Sequence, residues 1–247
     1  MTINYDVYRF SFKEWIMYLF LGISIDVIVS FLFYRSIIAF IIFIPAIYIF
    51  IKKQKKRLVN SRKEELTLQF REAIIAVSAA LASGYSIENA FFEATNDLIS
   101  YFGKSSLIVK EFINITGRVS SNETIEAVLQ DFADRSGIEE IQDFTDVFAT
   151  AKRTGGDLIA IIRKTSEHIS TRIDVKREIN TVISSKKMEQ NIMSVIPFLI
   201  ILYLNFSSTG FMDSLYGNIT GIVIMTICLG LYIISLYLAK KIITIEV

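Results

Sequence analysis

One cysteine and one histidine in 247 residues leave this chain almost without the side chains that build metal centres and nucleophilic triads. Cys228 stands alone inside an apolar run, so no intrachain disulfide can form and a disulfide framework is excluded. His168 has no cysteine or second histidine close to it in sequence, which removes the usual zinc spacings. No Ser/His/Asp or Cys/His set can be assembled around it either. Proline is scarce as well: the two present, Pro45 and Pro197, both fall inside apolar runs. The formal net charge is only +1, which leaves no electrostatic footprint for nucleic acid. These absences predict no catalytic site, no cofactor, no metal and no nucleic-acid partner.

What the chain has instead is apolar length. Mean hydropathy is +0.47, above the usual soluble range. Two apolar runs, 15–34 and 37–51, precede a polar middle, 52–191, and two more, 192–206 and 219–238, follow it. The polar middle holds 21 Lys and Arg and 20 Asp and Glu, leaving five of each elsewhere. This segregation predicts an N-terminal membrane hairpin over 1–51, a helical domain over 52–191 and a C-terminal membrane hairpin over 192–247. The fold class expected is all-α, with four transmembrane helices and a cytoplasmic six-helix bundle.

The first run is 20 residues, enough for a hydrocarbon core of roughly 30 Å. Asp26 sits near its middle and costs about 2.5–3.5 kcal/mol on the insertion scale, against roughly 4–7 kcal/mol returned by the run's Ile, Leu, Val and Phe. Asp26 is therefore expected to face other helices, either as a proton-linked site or as a polar residue hydrogen-bonded to a neighbour such as Asn205. The run 37–51 is short for a span and would borrow Tyr34 at one end and a snorkelling Lys52 at the other. KKQKKR at 52–57, Lys186-Lys187, Lys240-Lys241, and Arg9 with Lys13 all flank one side of the spans, while the opposite loops hold Arg35 alone. The positive-inside rule then places both termini and the polar middle in the cytoplasm, with KKQKKR against anionic lipid heads.

Apolar residues in the polar middle keep helical spacing in six stripes, beginning with Leu66, Phe70, Ile74, Val77 and Leu81 and ending with a long run from Leu158 through Ile161/Ile162, Ile169, Ile173 and Ile179 to Ile183. That is the pattern of a bundle core. Three junctions look alike: GYSIENAF from 84, NETIEAVL from 122 and GGDLIAII from 155, at spacings of 38 and 33 residues. Gly84, Asn122 and Gly155-Gly156 can take the left-handed conformation that ends a helix. Ser86, Thr124 and Asp157 can each cap the next helix by accepting a backbone N–H. Three helix–turn–helix pairs follow from this. Gly155-Gly156 is not followed by the Lys-Ser/Thr of a P-loop. Between 88 and 146 there are 12 acidic and 4 basic residues, which reads as a solvated face or as a docking surface for a basic partner at Asp131, Asp134, Glu139 and Glu140.

AKRTGGDLIAIIRKTSEHISTRIDVKREI, 151–179, resembles the F domain of bacterial type II secretion systems, the six-helix module of inner-membrane platform proteins in secretion and type IV pilus machines. Gly84-Tyr85-Ser86-Ile87 and Gly155-Gly156-Asp157-Leu158 carry its signature, and Ser185-Lys186-Lys187 leading to Pro197 is similar to its following helix and span. Asn122 departs from the family's usual glycine. The layout, ending Ile245-Glu246-Val247, resembles the TadB-type platform proteins of tight-adherence (Flp) pili. The resemblance covers 58–247. It implies coupling without catalysis, with a cytoplasmic secretion ATPase, pilins, and a second, TadC-like platform subunit or a further copy as partners, because two F domains are usual and this chain has one. A transporter or channel subunit with Asp26 on its pathway is the competing class.

Overall fold

A computed structural model describes residues 4, 5, 7, 10–154, 158–207, 210 and 213–243. Among them are eight helices, one 3-10 turn at Asp213–Leu215 and no strand. In chain order the helices are α1 (Phe12–Tyr34), α2 (Ile37–Ala82), α3 (Ile87–Phe102), α4 (Leu107–Ser120), α5 (Ile125–Ser136), α6 (Glu139–Thr154), α7 (Leu158–Ser207) and α8 (Ile219–Ile243). α1, α2, α7 and α8 are each long and apolar enough to cross a membrane. The run 37–51 does not end as a short span: its helix continues through KKQKKR to Ala82. Pro45 lies within α2 and Pro197 within α7.

The chain divides into two compact units, Met1–Arg9 with Lys56–Lys176, and Phe10–Lys55 with Arg177–Val247. Both divisions inside the polar middle fall within a helix, α2 or α7, so each of these helices belongs in part to both units.

The first unit is a bundle of six helical segments. Its core is the predicted stripes: Leu66, Phe70, Ile74, Ile108, Phe112, Ile115, Phe132, Ile141, Phe148 and Ile162 are all at most 2% exposed. Phenylalanines from five helices meet there. Phe70 packs edge-on to Phe144 at 5.7 Å, Phe91 stacks on Phe112 at 5.7 Å, and Phe148 meets Phe91 edge-on at 6.0 Å. Each such buried side chain stabilises by about 1.5–3 kcal/mol. The closest backbone approaches join α3 to α4, α5 to α6, and α4 to α5. Of these, α4–α5 is a pair expected across a repeated junction, the one at Asn122, whereas α3–α4 and α5–α6 are not. Two turns absent from the repeat, at Gly103 (φ +76) and Gly137 (φ +57), close the α3–α4 and α5–α6 hairpins.

The second unit buries little of its apolar surface against itself. Ile37, Phe206 and Ile219 are 78–84% exposed, and every described helix of the unit carries a ring of such side chains. Exposed apolar surface of this extent is what hydrocarbon covers. A small core of Leu32, Phe33, Met225 and Leu229 joins α1 to α8, with Phe43 and Phe198 against it. At Gly22 a Cβ would sit 3.0 Å from the Ile47 side chain, so glycine lets α1 and α2 approach closely.

The two described copies of the repeated junction have the same backbone. Tyr85 N donates to Ala80 O at 3.3 Å and Gly84 N to Leu81 O at 3.0 Å; Glu123 N donates to Arg118 O at 3.2 Å and Asn122 N to Val119 O at 3.0 Å. Both are Schellman motifs, with Gly84 at φ +90 and Asn122 at φ +65 in the left-handed position. A Cβ on Gly84 would meet nothing within 4 Å, so only the backbone conformation resists it. Gly84→Ala in the full chain is expected to cost about 1–2 kcal/mol, lowering the melting temperature by roughly 2–8 °C. Asn122→Gly should leave it unchanged or slightly raised. An unaltered melting curve for Gly84→Ala would contradict the assignment.

Candidate functional site

No group of three or more His, Cys, Asp and Glu residues able to hold a metal occurs among the described residues. His168 is exposed on α7 and Cys228 is exposed on α8. The features able to carry function are turns, charge networks and surfaces. Of the predicted caps, Ser86 works as expected: its Oγ accepts from Asn89 N at 3.4 Å. Thr124 holds the N-cap place of α5, and its carbonyl accepts from Val128 N at 3.2 Å. Its hydroxyl makes no capping bond, in keeping with threonine's restricted χ1 and weaker capping. Gly155, Gly156 and Asp157 lie outside the described residues. One cap comes from a distance: Gln69 Oε1 on α2 accepts from Ile108 N at 3.0 Å, at the start of α4 where Ser106 provides no side-chain cap.

The N-terminal segment supplies the largest departure from the sequence reading. Tyr5 is wholly buried in the bundle. Its hydroxyl donates to Glu111 Oε1 at 2.9 Å, its backbone N donates to Arg135 O at 3.1 Å, and the Arg62 guanidinium lies 4.8 Å above its ring. Glu111, on α4 and 2% exposed, also accepts both guanidinium arms of Arg135 on α5, at 3.0 and 2.7 Å. Arg135 Nε continues to Asp131 at 3.0 Å, Asp131 accepts Arg118 at 2.7 Å, and Arg118 grips Glu123 in the second repeated turn at 2.6 Å. A six-residue ladder thus runs from Tyr5 to the turn after α4. Burial, and then the Glu111 charge, push the Tyr5 phenol far above its ordinary value. Bonding to Glu111 holds Arg135 above its ordinary range, although burial opposes it. Burial works against the Asp131 charge, but Arg135 and Arg118 outweigh it and hold the carboxyl below the usual carboxylate range.

The acidic residues proposed for docking are largely engaged within the chain. Asp131 is a rung of the ladder. Glu139 pairs with Arg172 at 2.7 Å and Asp143 with the same guanidinium at 2.9 Å. Glu140 is 4% exposed and pairs with Lys176 at 2.5 Å, so it is interior rather than surface. Asp134 is exposed and accepts from Gln130 at 3.0 Å. Lys152 on α6 ties back to Glu126 on α5 at 2.9 Å. The basic complement of α6 is thus the chain's own α7, and that of α5 comes from α4, α5 itself and α6.

In the second unit, Asp26 is 6% exposed. Its Oδ1 accepts from Ser30 at 3.4 Å, one turn along the same helix, and its Oδ2 has no partner. The expected bond to Asn205 is not made. Asn205 instead accepts Arg35 at 2.7 Å and donates to Tyr216 at 3.3 Å. Arg35, left-handed at φ +43, also pairs with Asp213 at 3.0 Å and lies 4.7 Å over the Tyr216 ring, whose hydroxyl donates to Leu32 O at 2.6 Å. This polar knot ties the turn after α1 to the end of α7 and the segment before α8. The lone positive charge between the spans serves an internal contact.

Removing one end of the ladder tests it. Tyr5→Phe is expected to cost about 1 kcal/mol, and Glu111→Ala about 1.5–3 kcal/mol, since it removes both guanidinium bonds while Arg135 keeps Asp131. The unfolded phenol titrates near pH 10 and the folded one far higher, so the Tyr5 contribution is whole below about pH 10 and is lost as pH rises beyond it. Thermal unfolding of the full chain between pH 7 and 11 should show a shallower alkaline decline for Tyr5→Phe. Superimposable declines would place Tyr5 in water.

The family model for type II secretion system protein F matches residues 73–205. The matched segment takes in the end of α2 from residue 73, all of α3 to α6, and α7 up to residue 205. No curated protein matches the chain, and no solved structure does. With more than half of its length matched and four helices able to span a membrane, the chain belongs to the type II secretion system protein F family, whose members are inner-membrane platform proteins of secretion and pilus systems.

Proposed function

We propose that the chain is a platform subunit of the TadB kind, serving a tight-adherence (Flp) type IV pilus or a type II secretion machine. One observation carries the reading: the matched family segment, 73–205, runs out of the bundle along α7 into an apolar span. In this reading the bundle and both termini are cytoplasmic, as the basic flanks at 52–57, 186–187 and 240–241 favour. The membrane boundaries fall at 51/52 and 191/192, and KKQKKR rests on anionic lipid.

The work done is transmission. A cytoplasmic hexameric ATPase pushes or turns the bundle, and the motion reaches the spans along α2 and α7, which belong to both units. Pilins rising from the bilayer take up the motion at the spans. A TadC-like subunit or a further copy supplies a second F domain. For the ATPase, Asp134 and Glu139 are the candidate contacts that can be altered without emptying the interior; Asp131 and Glu140 hold the bundle together.

Site-specific photo-cross-linking in native membranes tests this. A cross-linker at Gln130, beside Asp134 on α5, should capture a secretion ATPase, and one at Ile233 on α8 should capture a pilin or platform subunit. Asp134→Lys with Glu139→Lys should weaken the ATPase cross-link at least fivefold without lowering the melting temperature by more than a few degrees. Capture of neither class, with the protein in its membrane, would contradict the reading.

A further inference from the structure

A cleft of about 230 Å³ lies among α1, α2, α7 and α8 of the membrane unit. Its lining residues are apolar apart from Asp26 and Tyr232, whose hydroxyl donates to Ser194 O. The floor residues Asp26 and Leu229 are 6% and 7% exposed, whereas the rim residues Ile25 and Ile233 are 45% and 56% exposed. The cleft therefore opens sideways, toward the surface that hydrocarbon covers. At its floor Asp26 Oδ2 is buried with no hydrogen-bond partner, while Oδ1 is satisfied by Ser30.

Depth decides what could supply the missing donor. Asp26 lies 14 residues from the start of α1 and 8 from its end, about 21 and 12 Å at 1.5 Å per residue. Lipid headgroups do not reach that level, and acyl chains carry no donor. A membrane helix does both things required: it fills an apolar cleft and can place one polar side chain at mid-depth, where such bonds hold helices together. The chain's own spans are poor suppliers, because Ser24, Ser194, Asn205, Thr226 and Tyr232 already donate within it.

We infer that this cleft is a docking site for a transmembrane helix of a different protein, one that carries a single hydrogen-bond donor in an otherwise apolar run and presents it to Asp26. The inference rests on the reading of the chain as a membrane platform and names where a client or companion helix seats.

The test uses the purified full-length protein in phosphatidylcholine–phosphatidylglycerol vesicles, with two fluorescent probes. Both are 20-residue Leu/Ala helices flanked by lysines; one has a central serine, the other alanine there. Energy transfer to the labelled protein should show the serine probe binding about three- to tenfold more tightly. Asp26→Leu should erase that preference, and Asp26→Asn, which keeps an acceptor, should retain part of it. Ile233→Trp, which fills the cleft and leaves Asp26 intact, should weaken both probes. Equal binding of the two probes by the wild type, or a serine preference that survives Asp26→Leu, would overturn the inference. Self-association that depends on Asp26 and excludes the serine probe would overturn it as well, assigning the cleft to a second copy. No ATPase or pilin takes part, so failure here leaves the platform reading standing, and failure of the cross-links above leaves this result intact.

Discussion

A carboxylate taken out of water must be given partners, because an unpaired buried charge costs several kcal/mol. Among the described residues three acidic side chains are buried: Asp26, Glu111 and Glu140. Two of them are paired within the chain. Glu111 receives a phenol and both arms of a guanidinium, and Glu140 receives the Lys176 ammonium. Around them the bundle is assembled: the N-terminal segment, α4 and α5 meet at Glu111, and α6 meets α7 at Glu140. The third, Asp26, is half satisfied, and it lies in the part of the chain with the least interior of its own.

This contrast separates the two units by the origin of their stability. The bundle buries a phenylalanine core and fastens its helices with cross-helix ion pairs. Several of these pairs are exposed and individually worth well under 1 kcal/mol, but the ladder from Tyr5 to Glu123 is shielded at its inner end and links its members. The membrane unit has a small core and a large apolar exterior. Its strongest specific contacts lie at one end, in the Arg35 knot, and its helices depend on lipid for the rest. The transmission proposed above would use a stiff part to receive motion and a part able to repack against changing neighbours, and the two units differ in interior in that way.

Local periodicity made the bundle legible. The stripes through Leu66–Leu81 and Ile125–Phe132 are core because helical spacing puts them on one face. Gly84 and Asn122 were readable as turns because few residues adopt positive φ. The four spans were readable from apolar length. Partnership across distance was not. Tyr5 lies in a short segment with no period, and nothing near it in sequence announces Glu111, 106 residues later. The acidic run of α6 looked like a surface because its counter-charges, Arg172 and Lys176, sit on α7, a separation that no local pattern records. The Gln69 cap of α4 was hidden for the same reason. Asn205 was one example of a polar neighbour for Asp26, while Arg35 offered it a stronger, charged bond.

The family assignment and the four membrane-length helices give a multi-pass protein of the platform family, and the proposal that it relays motion depends on which side the bundle occupies. Cysteine accessibility in intact cells measures this most directly. With Cys228→Ser as background, single cysteines at Asp134 in the bundle and at Asn218 in the segment before α8 are exposed to a membrane-impermeant maleimide. The account predicts that Asn218→Cys is labelled in intact cells and Asp134→Cys only after the membrane is opened. Labelling of Asp134→Cys from outside intact cells would contradict it.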